Sequence, residues 1–166
     1  MIVLGIDPGM AETGFGVVAA DGGRLRAVAH GGVATSARET PERRLCELQA
    51  AVAALVREHA PASAALEDLY IGANPRTILS VGQARGAILA ACGSAGVAVA
   101  GYAPAEIKSA VCGFGRADKG QVTRMVTAIL GLGDARLSEH AADALAAAVC
   151  HAQRSRTAGL RAGAAR

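Results

Sequence analysis

Aromatic side chains are scarce in this chain: Phe and Tyr together make up 2% of its 166 residues, and Trp is absent. Aliphatic side chains and alanine must therefore fill the core. A hydrophobic content of 52% against 19% charged residues excludes an intrinsically disordered chain. The length predicts one domain. A chain of this size buries roughly 68–70% of its unfolded surface, so it needs neither a disulfide nor a structural metal to fold.

Paired cysteines and membrane segments are also lacking. The four cysteines form no CxxC motif, and the N-terminus has no basic region of the kind that begins a signal peptide. The uncharged run 87–105 is interrupted by glycines and a proline and is too weakly hydrophobic to span a bilayer. We therefore expect a cytoplasmic protein with reduced thiols.

Common nucleotide-binding motifs are missing or incomplete. There is no GxxxxGK[ST] sequence, and the segment 113–118 lacks the third glycine of a dinucleotide loop and follows a predicted helix. The DxG sequence at Asp7, with the Thr- and Gly-rich residues after it, is also compatible with an actin-like or sugar-kinase-like ATPase. Such folds use two related domains and this chain supplies one, so the ATPase is an alternative and not the preferred interpretation.

The charge is mildly basic, with a net charge of +3 and a pI near 8.9, which is compatible with a polyanionic partner. Four arginines make the C-terminus a basic segment: Arg154, Arg156, Arg161 and Arg166. We expect a flexible tail over 154–166 after a single domain over 1–153. Both a solvated terminus and a DNA contact are open interpretations of this tail.

Hydrophobic periodicity predicts the element order βββαβαβααα. The expected strands are 2–6, 14–20, 24–33, 63–69 and 97–102, and the expected helices are 41–59, 75–92, 104–112, 119–130 and 138–154. Asp21-Gly22-Gly23 is a strong hairpin signal, and Thr40, Asn74 and Ser138 are placed to cap helices. Strand–helix–strand crossovers are right-handed and join parallel strands. The prediction is therefore a mixed sheet in the order 3-2-1-4-5.

Two acids end neighbouring strands of that sheet. Asp7 follows the first strand and Glu67 falls near the end of the fourth, so the topology brings both carboxylates to one edge. Asp68 must point to the opposite face from Glu67. A carboxylate at the end of a core strand is costly to desolvate unless something pairs with it.

His140 and Asp143 are separated by three positions on the last helix, so they share a face. Alone, an HxxD pair is weak support for a metal site, because exposed helix faces often have this pattern. With Asp7 and Glu67 it predicts a divalent-metal site of the kind that hydrolyses phosphodiesters.

Five segments, in order along the chain, resemble the RuvC-type Holliday junction resolvases: GIDPGMAETGFGVV (5–18), ALEDLY (65–70), NPRTILSVGQARGAIL (74–89), APAEIKSAVCGFGRADKGQV (103–122) and HAADALAAAVCH (140–151). The resemblance implies an RNase H-like fold, a homodimer, paired nicking of four-way DNA junctions, and a branch-migration helicase complex as partner. It also implies two divalent ions, Mg²⁺ or Mn²⁺, at each active site, held by Asp7, Glu67, His140 and Asp143.

His140 stands where some members of that family have an aspartate. Imidazole suits transition metals better than Mg²⁺, and Mn²⁺ lies between the two. We therefore expect this chain to prefer Mn²⁺.

The resemblance also suggests DNA contacts. It implies phosphate contacts by Lys108 and Lys119, with Arg76 and Arg85 as weaker candidates, and stacking of Tyr70 on an unpaired base. Solvated lysines and a core or interface tyrosine are the alternatives.

The small residues of the second helix would allow two subunits to approach closely: Gly82, Ala84, Gly86, Ala87 and Ala90. A dimer also suits the approximate two-fold symmetry of an open four-way junction. A junction-binding protein whose catalytic site has decayed is the non-enzymatic alternative.

Overall fold

The structure, a computed structural model, describes residues 1–68, 74–133 and 135–164, and for 158–164 the backbone alone. It contains, in order, β1 Ile2–Asp7, β2 Glu12–Asp21, β3 Arg24–Ala34, α1 Pro41–His59, β4 Ser63–Glu67, α2 Pro75–Ser94, β5 Val99–Tyr102, α3 Pro104–Cys112, α4 Lys119–Leu130 and α5 Glu139–Ala164. None of the helices in these ranges is both long and apolar enough to cross a membrane.

The predicted sheet order is confirmed: the five strands lie in the order β3-β2-β1-β4-β5. β1 is antiparallel to β2 and parallel to β4, and β4 is parallel to β5. Gly22 and Gly23 both have positive φ in the predicted hairpin turn between β2 and β3. Five helices flank this mixed sheet, and the architecture is RNase H-like.

The ends of several strands differ from the predictions. β2 begins at Glu12 and not at residue 14. Glu12 and Thr13 pair with β3, although the pairing of β2 with β1 extends only to Gly14. β4 ends at Glu67, before the predicted residue 69, and β5 begins at Val99 and not at residue 97.

Helix ends differ as well. Asn74 and Ser138 cap their helices as predicted, whereas the side chain of Thr40 makes no capping hydrogen bond. α2 continues to Ser94. α5 continues to Ala164, beyond the predicted end at Arg154, and no proline interrupts this segment. The domain boundary after residue 153 and the flexibility of the tail stay predictions.

The sheet separates two buried clusters. On one face, Leu4, Ile6, Val17 and Leu66 pack with side chains of α1 and α2. On the other face, strand residues pack with α3, α4 and α5, including the buried alanines of α5. Because side chains alternate along a strand, Asp7 and Glu67 belong to the α5 face.

Glycines let α5 lie directly against the centre of the sheet. A Cβ on Gly5 would lie 2.0 Å from the carbonyl oxygen of Ala144, and one on Gly14 would lie 2.0 Å from that of His140. No real Cβ atom approaches a carbonyl so closely. This close approach of two backbones, together with the alanines of α5, explains how a core almost without aromatics is packed tightly.

Candidate active site

Asp7 and Glu67 meet at one edge of the sheet, as the topology predicts. β1 and β4 are parallel neighbours with Ile6 beside Leu66, so the next residue on each strand is one of the two acids. Both carboxylates point toward the first turn of α5. The strands thus bring together two acids that are 60 positions apart in sequence.

The first turn of α5 carries His140 and Asp143 over these acids. Ser138 caps the start of the helix, its Oγ accepting a hydrogen bond from the N–H of Ala141 at 3.2 Å. Nδ1 of His140 lies 2.7 Å from Oδ2 of Asp7. The side chain of Asp143 is 26% exposed, so it faces the site more than the solvent.

Burial and mutual repulsion disfavour ionisation of the three acids. Desolvation, followed by the charges of Asp7 and Asp143, raises the pKa of Glu67 to about 7. Burial also raises the pKa of Asp7, although the hydrogen bond from His140 opposes this, and it raises the pKa of Asp143, to which the charge of Asp7 adds. The positive charge near the three carboxylates is therefore too small to offset the cost of ionising them in this buried site.

Two lysines partly offset the negative charge of the acids. Lys119, the first residue of α4, forms an ion pair with Glu139 and lies 3.9 Å from Asp143. The charges of Lys119 and of Lys108, on α3, both lower the pKa values of Glu67 and Asp143. The pairing of Glu139 with Lys119 depends on the position of α4 beside the start of α5, which the sequence alone does not indicate.

The remaining predicted contacts are less close to the acids. Arg76 is exposed at the start of α2. Arg85 donates hydrogen bonds to the main-chain carbonyl of Glu67 and to Asp68, and its contact with DNA stays a prediction. Tyr70 lies outside the described residues.

The donor set fits divalent metal. Carboxylate oxygens suit Mg²⁺ and Mn²⁺, and an imidazole nitrogen adds affinity for transition metals. Desolvated acids with raised pKa values gain stability from a cation placed among them. No three His, Cys, Asp or Glu side chains in the described ranges are yet arranged around a common point. His140 contacts Asp7 directly in this arrangement.

Comparison with known proteins decides the family. A family model described as "Crossover junction endodeoxyribonuclease RuvC" matches residues 3–151. The chain belongs to the RuvC family. The RuvC protein of Moorella thermoacetica is 49% identical over 152 residues, which cover 92% of this chain and 91% of that protein.

Solved RuvC structures share the fold over nearly the whole chain. The structure of Thermus thermophilus RuvC matches with a TM-score of 0.89 and 38% identity, covering 95% of this chain and 97% of that one. The same protein in complex with a Holliday junction substrate matches with a TM-score of 0.87 and 36% identity, covering 95% and 96%.

Membership of the RuvC family makes this chain a crossover junction endodeoxyribonuclease, a hydrolase that acts on DNA and depends on metal. The ATPase alternative is not favoured, since the family match covers almost the whole chain.

Proposed function

We propose that this chain resolves four-way DNA junctions in recombination and repair by paired, symmetric nicks, with Asp7, Glu67, His140 and Asp143 as catalytic metal ligands. The observation that carries the proposal is the group of three desolvated carboxylates at the end of β1, the end of β4 and the start of α5. The T. thermophilus RuvC complex with a Holliday junction supports the substrate.

Two divalent ions per site, Mg²⁺ or Mn²⁺, are proposed, with Mn²⁺ preferred because of His140. When bound, such ions supply Lewis-acid stabilisation of the charge that develops on the phosphodiester. Asp7 ends the central strand β1, which is a neighbour of β4 with Glu67, and contacts His140, so these side chains with Asp143 would hold such ions. His140 holds Asp7 through Nδ1 in the described state and so orients that carboxylate.

Basic residues around the acids are proposed to bind the DNA backbone. Lys119 and Lys108 lie close enough to the carboxylates to shift their pKa values, so a phosphate that they bind is held beside the catalytic group. Arg76, exposed at the start of α2, is a weaker candidate for a contact with the DNA backbone. Stacking of Tyr70 on an unpaired base stays a proposal from the resemblance.

A homodimer through α2 is the proposed assembly. The outer face of α2 exposes Leu79 at 66% and Leu89 at 41%. A Cβ on Gly86, on this helix, would meet no other atom within 4 Å. An exposed face of apolar and small residues suits contact with a second copy, and two copies supply the two sites that paired nicking needs. A branch-migration helicase complex is proposed as a further partner, and the cytoplasm as the location.

The test is incubation with a synthetic four-way junction and Mn²⁺, beside a linear duplex and an ATP-hydrolysis control. We expect nicks at symmetric positions in opposite strands of the junction and no comparable cutting of the duplex. Junction binding without cutting would instead favour a decayed, binding-only protein, and ATP turnover without an effect on DNA would favour the ATPase.

A further inference from the structure

Arg85 connects α2 to the residue that ends β4. Its Nη1 donates a hydrogen bond to the main-chain carbonyl of Glu67 at 2.8 Å, and its Nη2 donates to Oδ1 of Asp68 at 2.8 Å. The side chain of Arg85 is only 20% exposed. A half-buried planar guanidinium that donates to two separate acceptors has a fixed direction, which the flexible ammonium of a lysine would not have.

Asp68 is held in turn by β5. Its N–H donates to the carbonyl of Tyr102 at 2.8 Å. A Cβ on Gly101 would meet Oδ1 of Asp68, so this carboxylate lies over β5 at Gly101. Arg85, Asp68 and Gly101 thus form a clamp around the end of β4.

The clamp lies on the opposite face of the sheet from the catalytic acids. Glu67 points toward α5, whereas Asp68 points toward α2, because consecutive strand residues alternate. Arg85 therefore contacts the main chain of Glu67 without approaching its carboxylate. The Arg85 bond adds to the pairing of Glu67 with Tyr102 at the end of the β4–β5 ladder.

Glu67 needs such an anchor. It is the last residue of β4 and pairs with Tyr102 at the end of the ladder. Its carboxylate is desolvated and repelled by Asp7 and Asp143. A strand end is the part of a sheet that frays most readily, and repulsion at the side chain favours such fraying.

We propose that Arg85 is a positioning residue: its two hydrogen bonds from α2 fix the main chain of Glu67, with Asp68 and Gly101 completing the clamp, so that the carboxylate stays directed at Asp7 and Asp143. This inference rests on the proposed function, in which Glu67 is a metal ligand. Hydrogen-bond partners that orient metal ligands are typically worth about 10–100-fold in metal affinity or activity.

Arg85→Lys tests the proposal, because it keeps the charge but replaces the planar guanidinium, whose two nitrogens reach two acceptors, with a single ammonium nitrogen. We expect Mn²⁺ to bind the protein without DNA about 10–100-fold more weakly by calorimetric titration. The single-turnover rate of junction cleavage falls and partly recovers at high Mn²⁺, while junction affinity in EDTA is unchanged. Asp68→Asn weakens Mn²⁺ binding less and provides the same test if Arg85→Lys does not fold.

Arg43→Lys is the matched control, since the Arg43 guanidinium pairs with Glu39 and is 72% exposed on α1; it leaves Mn²⁺ affinity unchanged. Unchanged Mn²⁺ affinity in Arg85→Lys, with or without lost stability, overturns the proposal. If Arg85→Lys lowers junction affinity while its Mn²⁺ affinity is normal, the proposal is also overturned, because Arg85 would then contact the DNA. If the wild type binds Mn²⁺ but cleaves no junction, the proposed function fails, and the Mn²⁺ affinities of the variants still decide the role of Arg85.

Discussion

Nδ1 of His140 lies 2.7 Å from Oδ2 of Asp7, joining the first turn of α5 to the last residue of β1. The contact brings together residues 133 positions apart in the chain. The sequence resemblance aligns His140 with a position at which some RuvC-type resolvases have a carboxylate. His140 is therefore the residue through which this site is expected to differ in metal preference.

His140→Asp should narrow the difference between Mn²⁺ and Mg²⁺. Replacing a nitrogen donor with oxygen removes the ligand that favours the softer metal. The measurement is the concentration of each metal that gives half-maximal junction cleavage, for wild type and variant. If the ratio of the half-maximal Mn²⁺ and Mg²⁺ concentrations is the same in wild type and variant, His140 is not the source of the metal preference.

Glu67→Gln should stabilise the metal-free protein at high pH. The folded-state pKa of Glu67 is about 7, above its ordinary value of 4.5, so ionisation costs folding free energy. The cost is absent below pH 4.5, grows as the pH rises, and is complete above pH 7. At 1.36 kcal/mol per pH unit the upper limit is about 3 kcal/mol, and solvent access reduces the expected gain to about 1–2 kcal/mol.

Denaturant unfolding in EDTA at pH 5 and pH 8 measures this gain. Glu47→Gln, which changes an exposed acid of α1, is the control and should give no pH-dependent difference from wild type. A Glu67→Gln gain that is the same at both pH values would show that the carboxylate is not desolvated in this way.

The proximity of Asp7 and Glu67 could be predicted from the sequence, because the crossover rule makes β1 and β4 parallel neighbours. The alternation of strand residues likewise separated Glu67 from Asp68. The bonds from Arg85 could not be predicted, since they depend on how α2 packs against α1 and the sheet. The ion pair of Lys119 with Glu139 depends in the same way on the position of α4.

Gly14→Ala should disturb the site through packing. The added Cβ would lie 2.0 Å from the carbonyl oxygen of His140, so the start of α5 must move away from the sheet. Overpacking of this kind typically costs about 1–3 kcal/mol, and the displacement of His140 should lower cleavage as well. Thermal unfolding and junction cleavage are the measurements.

Gly93→Ala provides the comparison for Gly14→Ala, because a Cβ on this helical glycine meets no other atom within 4 Å. It should leave cleavage unchanged and gain about 0.5–1 kcal/mol from the better helix propensity of alanine. Equal thermal stability and equal junction cleavage of the two variants would mean that α5 does not pack against β2 at Gly14.

Lys119→Ala should weaken junction binding by removing one phosphate contact. The slope of log affinity against log salt should decrease by about 1, measured in EDTA to prevent cutting. Arg43→Ala, which removes a cation that is 72% exposed on α1 and paired with Glu39, should leave the slope unchanged. An unaltered slope in Lys119→Ala would assign this lysine to its pair with Glu139 alone.

Asp7→Asn tests the central claim most directly. The substitution keeps the shape of the side chain and removes the charge of the ligand that ends β1 and contacts His140. The measurement is cleavage of a four-way junction in Mn²⁺, with the affinity of the same junction determined in EDTA. We predict that binding is retained while cleavage falls by more than about 100-fold, beyond the loss typical of residues that only orient a ligand. Cleavage at the wild-type rate by Asp7→Asn would contradict the assignment of these acids as the catalytic site.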